Sequence, residues 1–219
     1  MGRPKRRPRI PAIGLLKAPI MSKTHRFDVL ILGSGAAGLG LALRLPEFVS
    51  IAVVSKRELS EGSTYYAQGG ISAVLDANDS MDSHVEDTLE AGAGLCDPER
   101  VKLVVEHGPA SIRWLFDQGV EFTRDAKAID AGGYHLTREG GHTHRRVVHA
   151  ADATGKAVET TLEERVRSRP NIHLFERHIA VDLISGRKLD IEPDRCLGAY
   201  VLDRQGGEVK TLLARFVAV

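Results

Sequence analysis

Gly33, Gly35 and Gly38 stand at G-x-G-x-x-G spacing, directly after the apolar run Val29-Leu30-Ile31-Leu32. Leu39, Leu41, Leu43 and Leu45 follow, until Pro46 stops the helix they predict. A strand before and a helix after is the setting in which this spacing binds a dinucleotide. Gly33 permits the tight turn, Gly35 lets the backbone approach a pyrophosphate, and Gly38 lets the helix pack close to its strand. The N–H groups at the helix start then hold the phosphates with help from the helix dipole. The flanking elements favour this reading over a merely glycine-rich turn.

Two further stretches have residue types suited to chemistry. The first, Glu61-Gly62-Ser63-Thr64-Tyr65-Tyr66-Ala67-Gln68-Gly69-Gly70-Ile71, combines hydroxyls, an amide and paired glycines. That composition suits a backbone wrapped closely around a ligand, and the simpler alternative is an ordinary Gly-Gly turn. The second is residues 134–149, where His135, His142, His144 and His149 crowd with three arginines and Glu139 around Gly140-Gly141. This density predicts an electropositive pocket wall that accepts anions, against a solvated basic loop with paired charges. His142 and His144 form H-x-H, but there is no neighbouring cysteine and the spacing fits no zinc template, which argues against a metal site.

The elements that must position these groups follow from pattern. Ser50–Ser55 reads as a second parallel strand, completing a β-α-β unit. At its end, where an NAD-binding protein usually places Asp or Glu, stand Ser55 and Lys56. Lysine there fits a 2′-phosphate or another way of holding an adenosine ribose and phosphate. Ser83-His84-Val85-Glu86 has capping-box form and predicts a helix start. Asp97-Pro98 opens another helix that Gly119 ends, with Gly108-Pro109 expected to kink or interrupt it. Trp114 is read as a packing residue. A helix over 153–168, with Val158, Leu162 and Val166 on one face, precedes short strands at 172–175, 179–184, 197–202 and 209–214. Arg204-Gln205-Gly206-Gly207 makes the last hairpin turn. A β-α-β start followed by an antiparallel meander predicts an α/β, Rossmann-like fold of the flavin-binding kind. The run Phe216–Val219 reads as a buried strand cut short, so the sequence has the look of a truncated domain.

Within the 219 residues there is no apolar run long enough to span a membrane, and the two cysteines, Cys96 and Cys196, suit reduced thiols in the cytoplasm. The formal net charge of +1 conceals an asymmetry. Residues 1–26 hold eight of the 30 Lys and Arg and no acid, which leaves 22 basic and 29 acidic side chains in residues 27–219. The proline-rich tail fits a targeting segment, a basic arm for nucleic acid, or a start called too early with Met21 as the true one; the last is favoured, with the tail disordered. Partners expected for the body exclude nucleic acid and membrane.

The blocks DVLILGSGAAGL, EGSTYYAQGGISAV, DSHVEDTLEAGAGLCD, YHLTREGGHTHRR and HAADATGKAVETTL, in this order, resemble the N-terminal part of the L-aspartate oxidase family. That family belongs with the flavoprotein subunits of succinate dehydrogenase and fumarate reductase, and the resemblance covers residues 27–219. It implies FAD-dependent oxidation of L-aspartate to iminoaspartate, with oxygen or fumarate as acceptor. This is the first step of NAD biosynthesis, and quinolinate synthase uses the product. Carried over by position, the FAD contacts fall on Ser34, Gly35, Ala36 and Ala37, on Lys56, and on Ser63, Thr64, Tyr65, Tyr66, Ala67, Gln68, Gly69 and Gly70, alongside Gly33 and Gly38 of the glycine turn read above. Glu139 matches the carboxylate that orients the substrate's amino group. Ser63 stands where covalently flavinylated relatives have histidine, which implies non-covalent FAD. The proton-transferring arginine and most substrate-carboxylate ligands are implied to lie beyond Val219, and these 219 residues alone are expected to be inactive.

Overall fold

A computed structural model describes residues 23–129, 132–151 and 153–219. Residues 1–22, which hold most of the basic tail, lie outside them. The apolar run predicted as the first strand is the inner half of β1 (Thr24–Leu32), so residues 24–26 belong to the sheet. β1 pairs in parallel with β2 (Ile51–Val54), and α1 (Ala36–Arg44) makes the crossover between them. All four side chains of β2 are buried, because the sheet is covered on both faces there.

The sheet has six strands in the order β6-β2-β1-β9-β8-β7. β6 (Ile172–Phe175) adds in parallel outside β2. β7 (His178–Ser185), β8 (Cys196–Asp203) and β9 (Val209–Ala218) form the predicted antiparallel meander. Its last strand runs back parallel to β1, from Thr24 against Thr211 to Ile31 against Ala218. Phe216, expected to be buried, is 66% exposed.

One face of the sheet carries the larger core, with Leu39, Ile51, Val53, Ile112, Leu162 and Val166 sealed from solvent. The other holds Leu30, Ala52, Ala199, Val201 and Leu212. Each leucine, isoleucine or valine fully buried in this way contributes about 1.5–3 kcal/mol.

The helices differ from expectation in detail. α2 (Met81–Ala91) is capped by Ser80, whose hydroxyl accepts from the Ser83 N–H at 3.1 Å. Ser83, predicted as the cap, sits inside the first turn with its hydroxyl turned to Thr143 and Arg146. α3 (Pro98–Gln118) starts on the Asp97 cap and ends at Gly119 in a left-handed conformation, as predicted. It runs unbroken through Pro109, which shares a buried face with Val105 and Ile112; packing of that face offsets the lost backbone hydrogen bond. Trp114 packs beside Gly40, and the Arg44 guanidinium lies 4.2 Å above its ring. α4 (Thr154–Arg167) packs against α1.

A small second sheet, order β3-β5-β4, was not apparent from the sequence. It joins β3 (Ile71–Ser72), β4 (Leu136–Thr137) and β5 (Val147–Val148), each only two residues long. Pairing of Ile71 and Leu136 with Val148 brings the two chemically rich stretches side by side.

Candidate cofactor and substrate site

The turn between β1 and α1 has the close approach its glycines require. A Cβ on Gly38 would sit 2.2 Å from the Gly33 carbonyl oxygen, so no other residue lets the helix close on the turn. Gly33 itself has φ +129°. Gly35 is the N-cap of α1, there is no side-chain cap, and no acid lies in the first turn. The positive end of the helix is therefore left for an anion.

In front of it opens a cleft of about 400 Å³, lined by Gly33, Ser34, Gly35, Ser55, Lys56, Arg57, Glu61, Gly62, Ser63 and Thr64. The sequence placed Gly33, Ser34, Gly35, Lys56, Ser63 and Thr64 at one ligand, and the fold brings these six to one cavity. Ser34 directs its hydroxyl inward, donating to Ser55 Oγ at 2.9 Å, so the backbone is what it offers a ligand. Thr64 Oγ1 accepts from the Ala36 N–H at 3.1 Å, tying the second loop to the helix N-terminus.

Ala36, Ala37 and Gly38 form the first turn of α1 behind this cleft. Tyr65, Tyr66, Ala67, Gln68, Gly69 and Gly70 lead away from the cleft toward β3. Tyr66 is 62% exposed and its hydroxyl donates to Glu61 at 3.2 Å.

Sequence reading missed the supports of this cleft. Arg177 and Arg204, at the turns that flank β7 and β9, brace the end of β2: the Arg177 N–H donates to the Arg57 carbonyl and Arg204 Nη1 to the Lys56 carbonyl. Arg177 also pairs with Glu58. From the other side α4 abuts the 63–70 loop. The Gly155 N–H donates to the Ala67 carbonyl at 3.0 Å, and a Cβ on Gly155 would lie 1.9 Å from the Thr64 carbonyl oxygen. Only the pairing of G-K-A-V-E with an apolar helical stripe hinted that α4 has such a tight contact.

The histidine-rich stretch is less positive than predicted. Arg146 is wholly buried and is neutralised: Nε and Nη2 donate to Asp79 at 2.8 and 2.7 Å, and Nη1 to Asp87 at 2.6 Å. Arg145 Nη1 donates to the Leu136 carbonyl at 3.3 Å. Sequence alone could not show that acids some 60 residues earlier fold under this loop. Burial pushes the Asp87 carboxyl up, but the Thr143 N–H and hydroxyl, together with Arg146, outweigh it and hold it below the usual carboxylate range. Burial and the nearby Arg146 charge both push the His84 imidazole down.

What remains is a mixed-charge cavity of about 470 Å³, lined by Asp76, Asn78, Asp79, Arg138, Thr143, His144 and Arg145. The histidines are distributed between separate contacts: His142 Nε2 lies 3.2 Å from Ser72 Oγ, and His135 Nδ1 lies 2.8 Å from His149 Nε2. Among the described residues no three His, Cys, Asp or Glu side chains converge as a metal ion would require. Glu139 is exposed, and its carboxylate has no hydrogen bond or ion pair among the described residues. It does not neutralise Arg138 or Arg145.

Residues 28–218 match the FAD binding domain family, and the chain belongs to it. FAD is thus the dinucleotide, and a helix N-terminus whose N-cap glycine offers no side-chain cap, a glycine turn with little room for side chains and a cleft bearing Lys56 and Arg57 fit its diphosphate. The sequence is similar to the L-aspartate oxidases of Pseudomonas aeruginosa (59% identical, 90% of this chain, 37% of that protein) and Vibrio cholerae (49%, 90% and 37%). The chain thus spans little more than a third of the length of these relatives. Among solved structures it resembles E. coli quinol fumarate reductase FrdA (TM-score 0.80, 27% identical, 89% of this chain, 32% of that one). It also resembles the Mycobacterium smegmatis Sdh1 complex (TM-score 0.78, 25% identical, 89% and 34%). No helix among the described residues is long and apolar enough to cross a membrane.

Proposed function

We propose that the full-length protein carrying these residues is an L-aspartate oxidase, acting in the cytoplasm and away from the membrane. The observation that carries this reading is Glu139: an exposed carboxylate with no hydrogen bond or ion pair among the described residues, in a segment where Arg145, Arg146, His142 and Thr143 all make internal hydrogen bonds. An unpaired carboxylate in the same loop as Arg138 and Arg145, which line the mixed-charge cavity, suits a ligand that is itself both cationic and anionic. L-Aspartate has one ammonium and two carboxylates. Glu139 would take the ammonium in a charge-assisted hydrogen bond and so orient the substrate.

Gly33, Ser34, Gly35, Ala36, Ala37, Gly38, Lys56 and the loop from Ser63 to Gly70 would hold FAD. The α1 N-terminus would face the diphosphate, and Lys56 the adenosine end. Bound FAD would supply the two-electron acceptor that converts the amine of L-aspartate to the imine, with oxygen or fumarate taking the electrons onward. With Ser63 in place of a histidine, the flavin would be held without a covalent bond. Iminoaspartate released by the enzyme would pass to quinolinate synthase.

The likeness to fumarate reductase favours a second reading, a fumarate-reducing flavoenzyme with no use for an amine. Purified full-length protein separates the two. An L-aspartate oxidase consumes L-aspartate with oxygen or fumarate as acceptor, and acid precipitation releases all its flavin into the supernatant. Fumarate reduction by an artificial donor with no turnover of L-aspartate would replace this reading with the second.

A further inference from the structure

Glu139 lies in an arm that leaves the small sheet at Thr137 and rejoins it at Val147. Gly140 and Gly141 follow it, the first with nothing within 4 Å of where a Cβ would be, the second at φ +83°. Two such glycines have wide backbone freedom. Across the tip the His142 N–H donates to the Glu139 carbonyl at 3.3 Å. The returning limb is then laid along one face of α2, against Ser83, Asp87 and Ala91, which stand four residues apart. Ser83 Oγ lies 3.0 Å from Thr143 Oγ1 and 3.2 Å from His144 Nδ1. Asp87 Oδ2 accepts the Thr143 N–H at 2.8 Å and the Thr143 hydroxyl at 2.9 Å. A Cβ on Gly141 would fall 3.8 Å from Ala91 Cβ.

We propose that Asp87 is a positioning residue for Glu139, acting through Thr143 to hold the arm where the Glu139 carboxylate can take the substrate's ammonium. This rests on the orienting role given to Glu139 above. The limb before Glu139 is tied at Thr137, whose carbonyl accepts the Arg146 N–H at 3.2 Å. The limb after it is tied at Thr143, where one carboxylate oxygen takes both the backbone and the side-chain donor. The span left free shrinks to residues 138–142. A group that must meet a ligand gains from being held in place beforehand, because less ordering remains to oppose binding.

Asp87 is itself firmly held. It is buried, and Arg146 Nη1 donates to the same Oδ2 at 2.6 Å. Arg146 Nη2 also donates to Ser83 Oγ at 3.1 Å, one turn earlier on the same face of α2. At the end of the tip, His142 Nε2 lies 3.2 Å from Ser72 Oγ, and the His84 ring meets the His142 ring edge-on with centroids 5.8 Å apart. Neither Asp87 nor Thr143 lines the cleft assigned to FAD, so the clamp can be cut without touching the cofactor.

The test is steady-state kinetics with L-aspartate on the full-length, FAD-loaded enzyme, as a double-mutant cycle of Thr143→Val and Glu139→Gln. Thr143→Val removes the hydroxyl bond to Asp87 and keeps the shape of the side chain. It should lower kcat/KM about tenfold, and Thr143→Ser, which keeps the hydroxyl, should retain most of the wild-type value. In the Glu139→Gln background the same change should cost less than about twofold, because the group being positioned is gone. FAD content should be equal throughout. Wild-type kinetics in Thr143→Val, or an equal loss in both backgrounds, overturns the proposal, the second outcome marking a merely structural role. Should Thr143→Val fail to fold, Asp87→Asn in the two backgrounds decides by the same comparison. Glu139→Gln keeps the two levels apart. Unchanged kinetics there remove the orienting role of Glu139 and the proposal with it, whereas a loss there beside an additive Thr143→Val removes only the role of Asp87.

Discussion

Arg146 and Asp87 meet at 2.6 Å in the interior, the guanidinium of β5's lead-in segment against a carboxylate of α2 that also accepts the Thr143 N–H and hydroxyl at 2.8 and 2.9 Å. With Asp79 on its other edge, Arg146 has two carboxylates and no exposed surface. The pairing fastens the 138–146 loop to α2 and so determines where Glu139 and His142 can stand.

Removing one member of such a cluster strands the others. Arg146→Ala should cost about 3–5 kcal/mol, because two buried carboxylates lose their counter-charge. Urea denaturation measures this. Arg146→Met combined with Asp79→Asn and Asp87→Asn should recover part of the loss, and if the triple variant is no better than Arg146→Ala, the penalty is one of packing rather than stranded charge.

Gly35→Val should abolish FAD binding rather than only reduce turnover. A Cβ at this position already falls 3.1 Å from Thr64 Oγ1, and a branched side chain would also fill the cleft mouth at the helix end. Purification with flavin at normal stoichiometry would place the cofactor elsewhere.

Glu139→Gln should damage L-aspartate oxidation far more than fumarate reduction, since fumarate has no ammonium to orient. Loss of one charge-assisted bond corresponds to about 1.5–3 kcal/mol, or about 10- to 150-fold in kcat/KM for aspartate. Flavin content should not change. Steady-state kinetics with both substrates on one preparation decides the matter, and equal losses would falsify the orienting role.

Stability should show Glu159, which α4 keeps fully sealed from solvent. Burial, and then the Glu163 carboxylate one turn on, push its carboxyl up to about 7, so between about 4.5 and 7 the folded chain binds this proton more tightly than the unfolded one. The contribution of this group to stability therefore falls as pH rises through that window and is constant above it. Glu159→Gln should match wild type at pH 4 and exceed it at pH 8 by about 3 kcal/mol. Melting curves at the two pH values give the difference, and an equal offset at both would show that the carboxyl does not titrate there. His84 runs the other way: with its imidazole pushed down, its share of stability is lost as pH falls below about 6.5.

The sequence alone determined the parts whose causes are local. Gly33, Gly35 and Gly38 announce a phosphate turn because the turn and the close approach of Gly38 to the Gly33 carbonyl are local, and Asp97-Pro98 and Gly119 mark the ends of α3 for the same reason. The β-α-β unit and the meander follow from apolar runs and turn residues. Where the sequence misled, the cause lay at a distance. Three arginines around Glu139 read as an anion trap until the fold delivered Asp79 and Asp87 to Arg146. The two-residue strands β3, β4 and β5 have too little pattern to register, and exist only through pairing between segments distant in sequence. Nothing in the sequence singles out Glu159; the tertiary packing of α4 buries it completely, because burial belongs to the meeting of two segments and not to either of them.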